Sequence, residues 1–203
     1  MRKLFLINFI YISLVLLFAN CSNEKQDKSV KNANVESSNK DSLNYINIAK
    51  SDTNFKGIMI IPEQPALCIL DSASPKIASS VMEKNYSKIL EDVNTLNLKV
   101  AEEPGCIFYF TSPEKIVFET FLFLKSKPEK QPKYSKPVIL EKTLGLLYDH
   151  YGTFNTIHQS YDKIKTLLEK LNYQQAGPSR EIYVLADDTA KWRTRIIIPV
   201  VKR

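Results

Sequence analysis

The chain is short of the residues from which metal and catalytic sites are commonly built, with two histidines, three cysteines and five glycines in 203 residues. His150 and His158 have no Cys, Asp or Glu at metal-ligand spacing, so no metal is expected. Nothing marks an axial ligand for haem, and no cofactor is expected. There is no glycine-rich phosphate loop and no Gly-x-Ser-x-Gly nucleophile elbow. An enzyme is therefore not the first expectation. The 28 basic residues outnumber the 22 acidic ones, but they are scattered and form no single stripe with interleaved aromatics. A nucleic-acid face needs such a footprint, so no nucleic-acid partner is expected.

Long apolar runs are also lacking, except at the N-terminus. Arg2-Lys3 precede an apolar stretch from Leu4 to Phe18, followed by Ala19, Asn20 and Cys21. This length and these flanks fit an export signal better than a permanent span. Phe18-Ala19-Asn20-Cys21 resembles a lipobox, in which a small residue fits the signal peptidase and the cysteine thiol takes a diacylglyceryl group; Asn20 departs from its usual Gly or Ala. The expectation is a bacterial lipoprotein with its signal peptide over residues 1–20, held on a membrane of the cell envelope through lipidated Cys21. Two acyl chains give stable anchoring where one is marginal. Removing Arg2 and Lys3 leaves 26 basic against 22 acidic residues, a charge of +4 on the mature chain.

Residues 21–54 comprise the lipidated cysteine and a Ser, Asn, Lys, Glu and Asp-rich stretch with only one aromatic, Tyr45. Such composition cannot bury enough apolar area to offset its ordering entropy, and predicts a disordered tether. A single domain is expected over 55–203.

Within it the pattern occurs twice. Ile58 to Leu70 forms one extended segment interrupted by Pro62 and Pro65. A helix face follows at Ile77, Val81, Ile89, Val93 and Leu96, then a hairpin from Cys106 to Phe110 and Ile116 to Leu124. In the second half, Val138 to Tyr148 is extended and broken at Gly145. The next helix face is Phe154, Ile157, Tyr161, Ile164, Leu168 and Leu171, followed by a hairpin from Ile182 to Ala186 and Trp192 to Val201. Tyr86, Ile89, Val93 and Leu96 superimpose on Tyr161, Ile164, Leu168 and Leu171 with an offset of 75. The last strands align with 76, placing Glu119 on Arg195. The expected fold is α+β: two strand-helix-strand-strand repeats, about 55–125 and 137–203, packed as a pseudo-twofold domain with antiparallel sheets and a central cleft. Cys68 and Cys106 each lie in an apolar run, as buried hydrophobes or as a disulfide pair.

His150-Tyr151-Gly152-Thr153-Phe154, Tyr161, Leu168, Gly177-Pro178, Glu181-Ile182-Tyr183 and Ile198-Pro199-Val200 together resemble the GyrI-like small-molecule-binding family. Its fold also serves as the effector-binding domain of bacterial transcription activators. The resemblance implies a ligand in an aromatic-lined cleft between the repeats, with a carboxylate at its floor in cation-binding members. Tyr148, Tyr151, Tyr183 and Trp192 are the candidate aromatics, with Glu181 on the family's Glu-x-Tyr strand. The family's frequent acidic residue before the terminal Ile-x-x-Pro-Val is replaced here by Arg195. Alternation puts Glu119 on one face with Val117, Phe121 and Phe123, and Arg195 with Ile197 and Pro199. Facing modules would then let Glu119 and Arg195 meet and neutralise the cleft, favouring a neutral ligand, or an anion if Arg195 is free. Tyr86 and Tyr161 are expected in the core.

The function expected is therefore an envelope lipoprotein binding a small hydrophobic or amphipathic molecule. Two alternatives remain: a hydrolase using a cleft Glu/Tyr pair, or an interaction lipoprotein with a closed cleft. The sequence specifies no protein partner.

Overall fold

A computed structural model describes residues 51–184 and 192–203. The expected signal peptide, Cys21 and nearly all of the tether lie outside these residues. The described elements run β1 (Phe55–Ile61), β2 (Gln64–Ala73), α1 (Ala78–Thr95), β3 (Gly105–Thr111), β4 (Ile116–Phe123), β5 (Lys136–Leu140), β6 (Thr143–Tyr151), α2 (Ile157–Lys170), β7 (Tyr173–Gln175), β8 (Ser179–Val184) and β9 (Arg193–Lys202). A short 3-10 turn, Phe154–Thr156, leads into α2.

All strand pairs are antiparallel, in the order β1-β6-β9-β8-β3-β4-β2-β5, with β7 added on β9. The expected two-repeat α+β architecture is present, with one rearrangement. The segment around Pro62 and Pro65 is two strands, not one: β1 pairs with β6 of the second repeat, while β2 pairs with β4 and β5. Pro62 lies between the two strands, where a missing N–H disrupts no ladder. The second repeat does the same, β5 crossing to the edge of β2. Its break falls at Glu141-Lys142 and not at Gly145. Gly145 instead permits close approach within β6, because a Cβ there would lie 3.0 Å from Ile197 and 3.1 Å from Ile61.

Three cores result. Even-numbered residues of β4 (Ile116, Phe118, Leu122) pack with Ile89, Met82 and Val93 of α1. Leu146 and Tyr148 of β6 and Ile196 and Ile198 of β9 pack with Ile164, Leu167 and Leu168 of α2. Among the described residues no helix covers the opposite face, yet Cys68, Ile107, Phe121, Phe123, Leu147, Ile182 and Ile197 form one buried cluster there. The curled sheet, a half-barrel, therefore covers its own second face.

Both helices end in a left-handed asparagine, Asn97 (φ 52°) and Asn172 (φ 58°), spaced by the same offset of 75 as the helix faces. Asparagine tolerates this conformation better than most side chains. Cys68 and Cys106 are free and buried on opposite faces of the sheet, which closes the disulfide alternative. Among the described residues no helix is long and apolar enough to cross a membrane.

Candidate ligand site between the repeats

In the β3–β8 pair, Cys106 stands opposite Glu181, flanked by Gly105↔Ile182 and Ile107↔Arg180. The offset of 75 carries Cys106 onto Glu181 and exchanges the flanking pairs. The pseudo-twofold axis therefore passes between Cys106 and Glu181. Helix α1 packs on β2 and β4, and α2 on β6 and β7, leaving the centre of the sheet between them. By strand alternation, Cys106, Phe108, Glu181 and Tyr183 point from this centre toward the helices.

The helix tyrosines cover the axis from both sides. Tyr161 donates to Glu181 Oε1 at 2.6 Å, and Tyr183 donates to Oε2 at 3.0 Å. Tyr86, the repeat-equivalent of Tyr161, donates instead to the Gly105 carbonyl at 2.7 Å. The chemistry is asymmetric because the residue equivalent to Glu181 is Cys106. Phe154 packs edge-on against Tyr183, with ring centroids 5.3 Å apart, and lies 5.7 Å from Trp192. These three rings are only half-buried. Through Tyr183 this group of rings adjoins Glu181, a residue 6% exposed.

Burial raises the Glu181 pKa above the ordinary carboxylate value, and the two tyrosine hydrogen bonds pull it partly back. Tyr161 and Tyr183 are held well above the usual phenol range by burial first and by the Glu181 charge next. Gly105 makes this packing feasible: a Cβ there would collide with the Phe121 ring and the Glu181 carbonyl. A carboxylate in this setting can receive a cation or a hydrogen-bond donor, or hold a proton for transfer.

Of the residues singled out from sequence, Glu181, Tyr183 and Trp192 come together here. Four others lie elsewhere. Tyr148 is fully buried beneath α2, its hydroxyl donating to Asp52 at 3.0 Å. Tyr151 is exposed at the end of β6. Glu119 and Arg195 project from the helix-free face, Glu119 accepting from Tyr109 at 2.7 Å and Arg195 donating to Asp149 at 3.2 Å. The expected Glu119–Arg195 meeting is thus corrected: β3 and β8 intervene between their strands, and each has a nearer partner. The cleft is not neutralised by Arg195.

Sequence reasoning missed two participants. The spacing of Tyr161 fits the apolar face of α2 and predicts a core residue, and its ring does pack there; only its hydroxyl reaches Glu181. Periodicity puts Phe154 on the same face, but it lies in the 3-10 turn and packs against Tyr183.

The family described as GyrI-like small molecule binding domain matches residues 62–201. The chain belongs to this family. Among solved structures, the EcmrR C-terminal domain superimposes with a TM-score of 0.65 at 15% identity, covering 73% of this chain and 99% of its own. SAV2435 bound to tetraphenylphosphonium gives 0.52 at 14% identity, covering 72% and 93%. A hydrolase from Listeria innocua gives 0.52 at 13% identity, covering 76% and 98%. At these identities the likeness is one of fold. No curated protein matches the sequence.

Proposed function

We propose that the protein is a lipid-anchored envelope lipoprotein that binds a small amphipathic molecule against Glu181, between Tyr161, Tyr183, Phe154 and Trp192. The observation that carries the binding role is a glutamate 6% exposed, gripped by two phenols, one of which packs on half-buried rings. Its charge is costly to bury, and a ligand that supplies a positive or hydrogen-bond-donating group offsets that cost. The favoured ligand is accordingly an amphipathic cation or donor rather than the neutral or anionic compound that an Arg195 in the cleft would favour. Family membership supports the same reading, as does SAV2435, whose fold is shared and which is bound to tetraphenylphosphonium.

Native mass spectrometry of the full-length protein purified from cells tests the binding role. A co-purified small molecule, lost in Glu181→Gln, is expected; a bare chain that binds nothing from a panel of amphipathic cations and donors contradicts it. The anchor rests on Phe18-Ala19-Asn20-Cys21. Metabolic labelling with palmitate should mark the wild type and not Cys21→Ser.

The hydrogen-bonded Glu181–Tyr161–Tyr183 group also favours one second reading, hydrolysis of a reactive small molecule with Glu181 and a tyrosine as acid and base. An enzyme would lose turnover in Glu181→Gln while still binding substrate.

A further inference from the structure

The helix-free face carries a second charged group, away from the cleft. Asp149 on β6 is buried, with its side chain 2% exposed. Arg195 Nε donates to its Oδ1 at 3.2 Å, Arg193 Nη1 stands 3.9 Å from Oδ2, and Lys56 Nζ 4.0 Å from Oδ2. One bonded cation is enough to neutralise one carboxylate. Here, among the described residues, three converge, leaving a local excess of two positive charges at side chains about one third exposed.

The local structure holds this excess in place. The β1–β6 register shifts between Phe55 and Gly57, so Lys56 is a bulged residue, and Gly57 sits at φ 116°. A bulge re-aims a side chain, and this one holds the Lys56 ammonium, which donates to the Thr53 carbonyl at 2.7 Å, within 4.0 Å of Asp149. Arg193 and Arg195 alternate on the same face of β9, opposite Tyr151 and Asp149 of β6. The Arg193 Nε is buried and has no hydrogen-bond partner among the described residues, which leaves a donor unsatisfied at some cost. Like charges gathered around a single carboxylate repel one another unless an anion joins them.

We propose that Lys56, Arg193 and Arg195 form a second binding site, on the face opposite the cleft, for a phosphate group. Two guanidinium forks and an ammonium suit a group with several charged oxygens. Asp149 fixes Arg195 and limits the affinity, since its own charge opposes the incoming anion.

The test is a thermal-shift and calorimetric titration of the full-length protein at constant ionic strength, with inorganic phosphate and, separately, monomeric short-chain phosphatidylglycerol. Saturable binding is expected, weakened at least tenfold in Lys56→Gln/Arg193→Gln, a double variant that keeps the Arg195–Asp149 bond. Asp149→Asn should tighten it several-fold by removing the opposing charge, and Glu181→Gln should leave it unchanged. Inorganic phosphate binding as tightly as the lipid identifies free phosphate as the source. Tighter binding of the lipid, still lost in the double variant, identifies a lipid headgroup. Absence of binding by both probes, or binding that survives the double variant, overturns the proposal.

Discussion

Glu181 and Asp92 are both buried carboxylates, and their surroundings push them in opposite directions. For Asp92 burial alone would raise the pKa, but the Ser135 hydroxyl and the backbone N–H groups of Ser135, Lys133 and Tyr134 together hold it below the ordinary value. This bonded carboxylate ties the connector before β5 to α1. Asp92→Ala strands those donors and should cost about 2 to 4 kcal/mol in denaturant unfolding. Glu181 has a raised pKa, so its neutral form is the one best tolerated. Its contribution to stability is full below the unfolded value of 4.5 and is lost as pH rises through the folded one. Wild-type melting temperature should therefore fall relative to Glu181→Gln as pH rises from about 4.5. A flat difference would contradict the burial of Glu181. His150 changes in the other direction: burial lowers its pKa, so its contribution to stability is full above the unfolded value of 6.5 and is lost as pH falls through the lower folded one. Its Nε2 faces the Thr153 carbonyl, which only accepts, so the proton sits there and Nδ1 accepts from Ser160. At this scale the sequence was informative about Glu181 and Tyr183 through the Glu-x-Tyr resemblance. It was silent on Asp149 and Asp92, because nothing local distinguishes a buried aspartate from a solvated one.

Among elements, β3 and β8 meet on the axis and carry the site. Gly105 is the tightest point of that meeting. Gly105→Ala should cost about 1 to 3 kcal/mol, the usual range for overpacking, and should weaken ligand binding by displacing the Glu181 backbone. Unchanged stability would mean that β3 and β4 separate easily, contrary to the buried Phe121 and Cys106. Helices and hairpins were legible from periodicity and turn residues: the expected face of α2 matches the buried Ile164 and Leu168. Strand exchange was not legible. Pro62 and Pro65 marked an interruption, but partner choice is set by tertiary packing that no local pattern encodes. The short β7 escaped notice because Tyr173–Gln175 has three residues and no alternation to read.

For the whole molecule, the repeats are mutually dependent. β1 completes the second repeat and β5 the first, so neither half keeps its own sheet edge when separated. A fragment ending at residue 125 should not give a cooperative thermal transition, nor should one beginning at residue 137; mixed together, they should regain it. Two independent transitions would contradict the exchange. The duplication was visible in the offset of 75, and it also places the axis, since Cys106 and Glu181 are equivalent positions paired across it. What the offset alone did not convey is the direction in which Glu119 and Arg195 project. They are equivalent to each other, but they lie on the face away from the helices, and the charge of the cleft is decided by Glu181.

The most direct measurement uses Trp192, the single tryptophan of the chain, which packs near Phe154 at the wall of the site. Its fluorescence would be followed while the full-length protein is titrated with tetraphenylphosphonium, an aromatic cation, and in parallel with tetraphenylborate, an anion of the same shape. A saturable change is expected with the cation, weakened about 10- to 100-fold in Glu181→Gln, or about 1.4 to 2.8 kcal/mol, with little response to the anion. Equal responses to both ions, or cation binding untouched by Glu181→Gln, would contradict it.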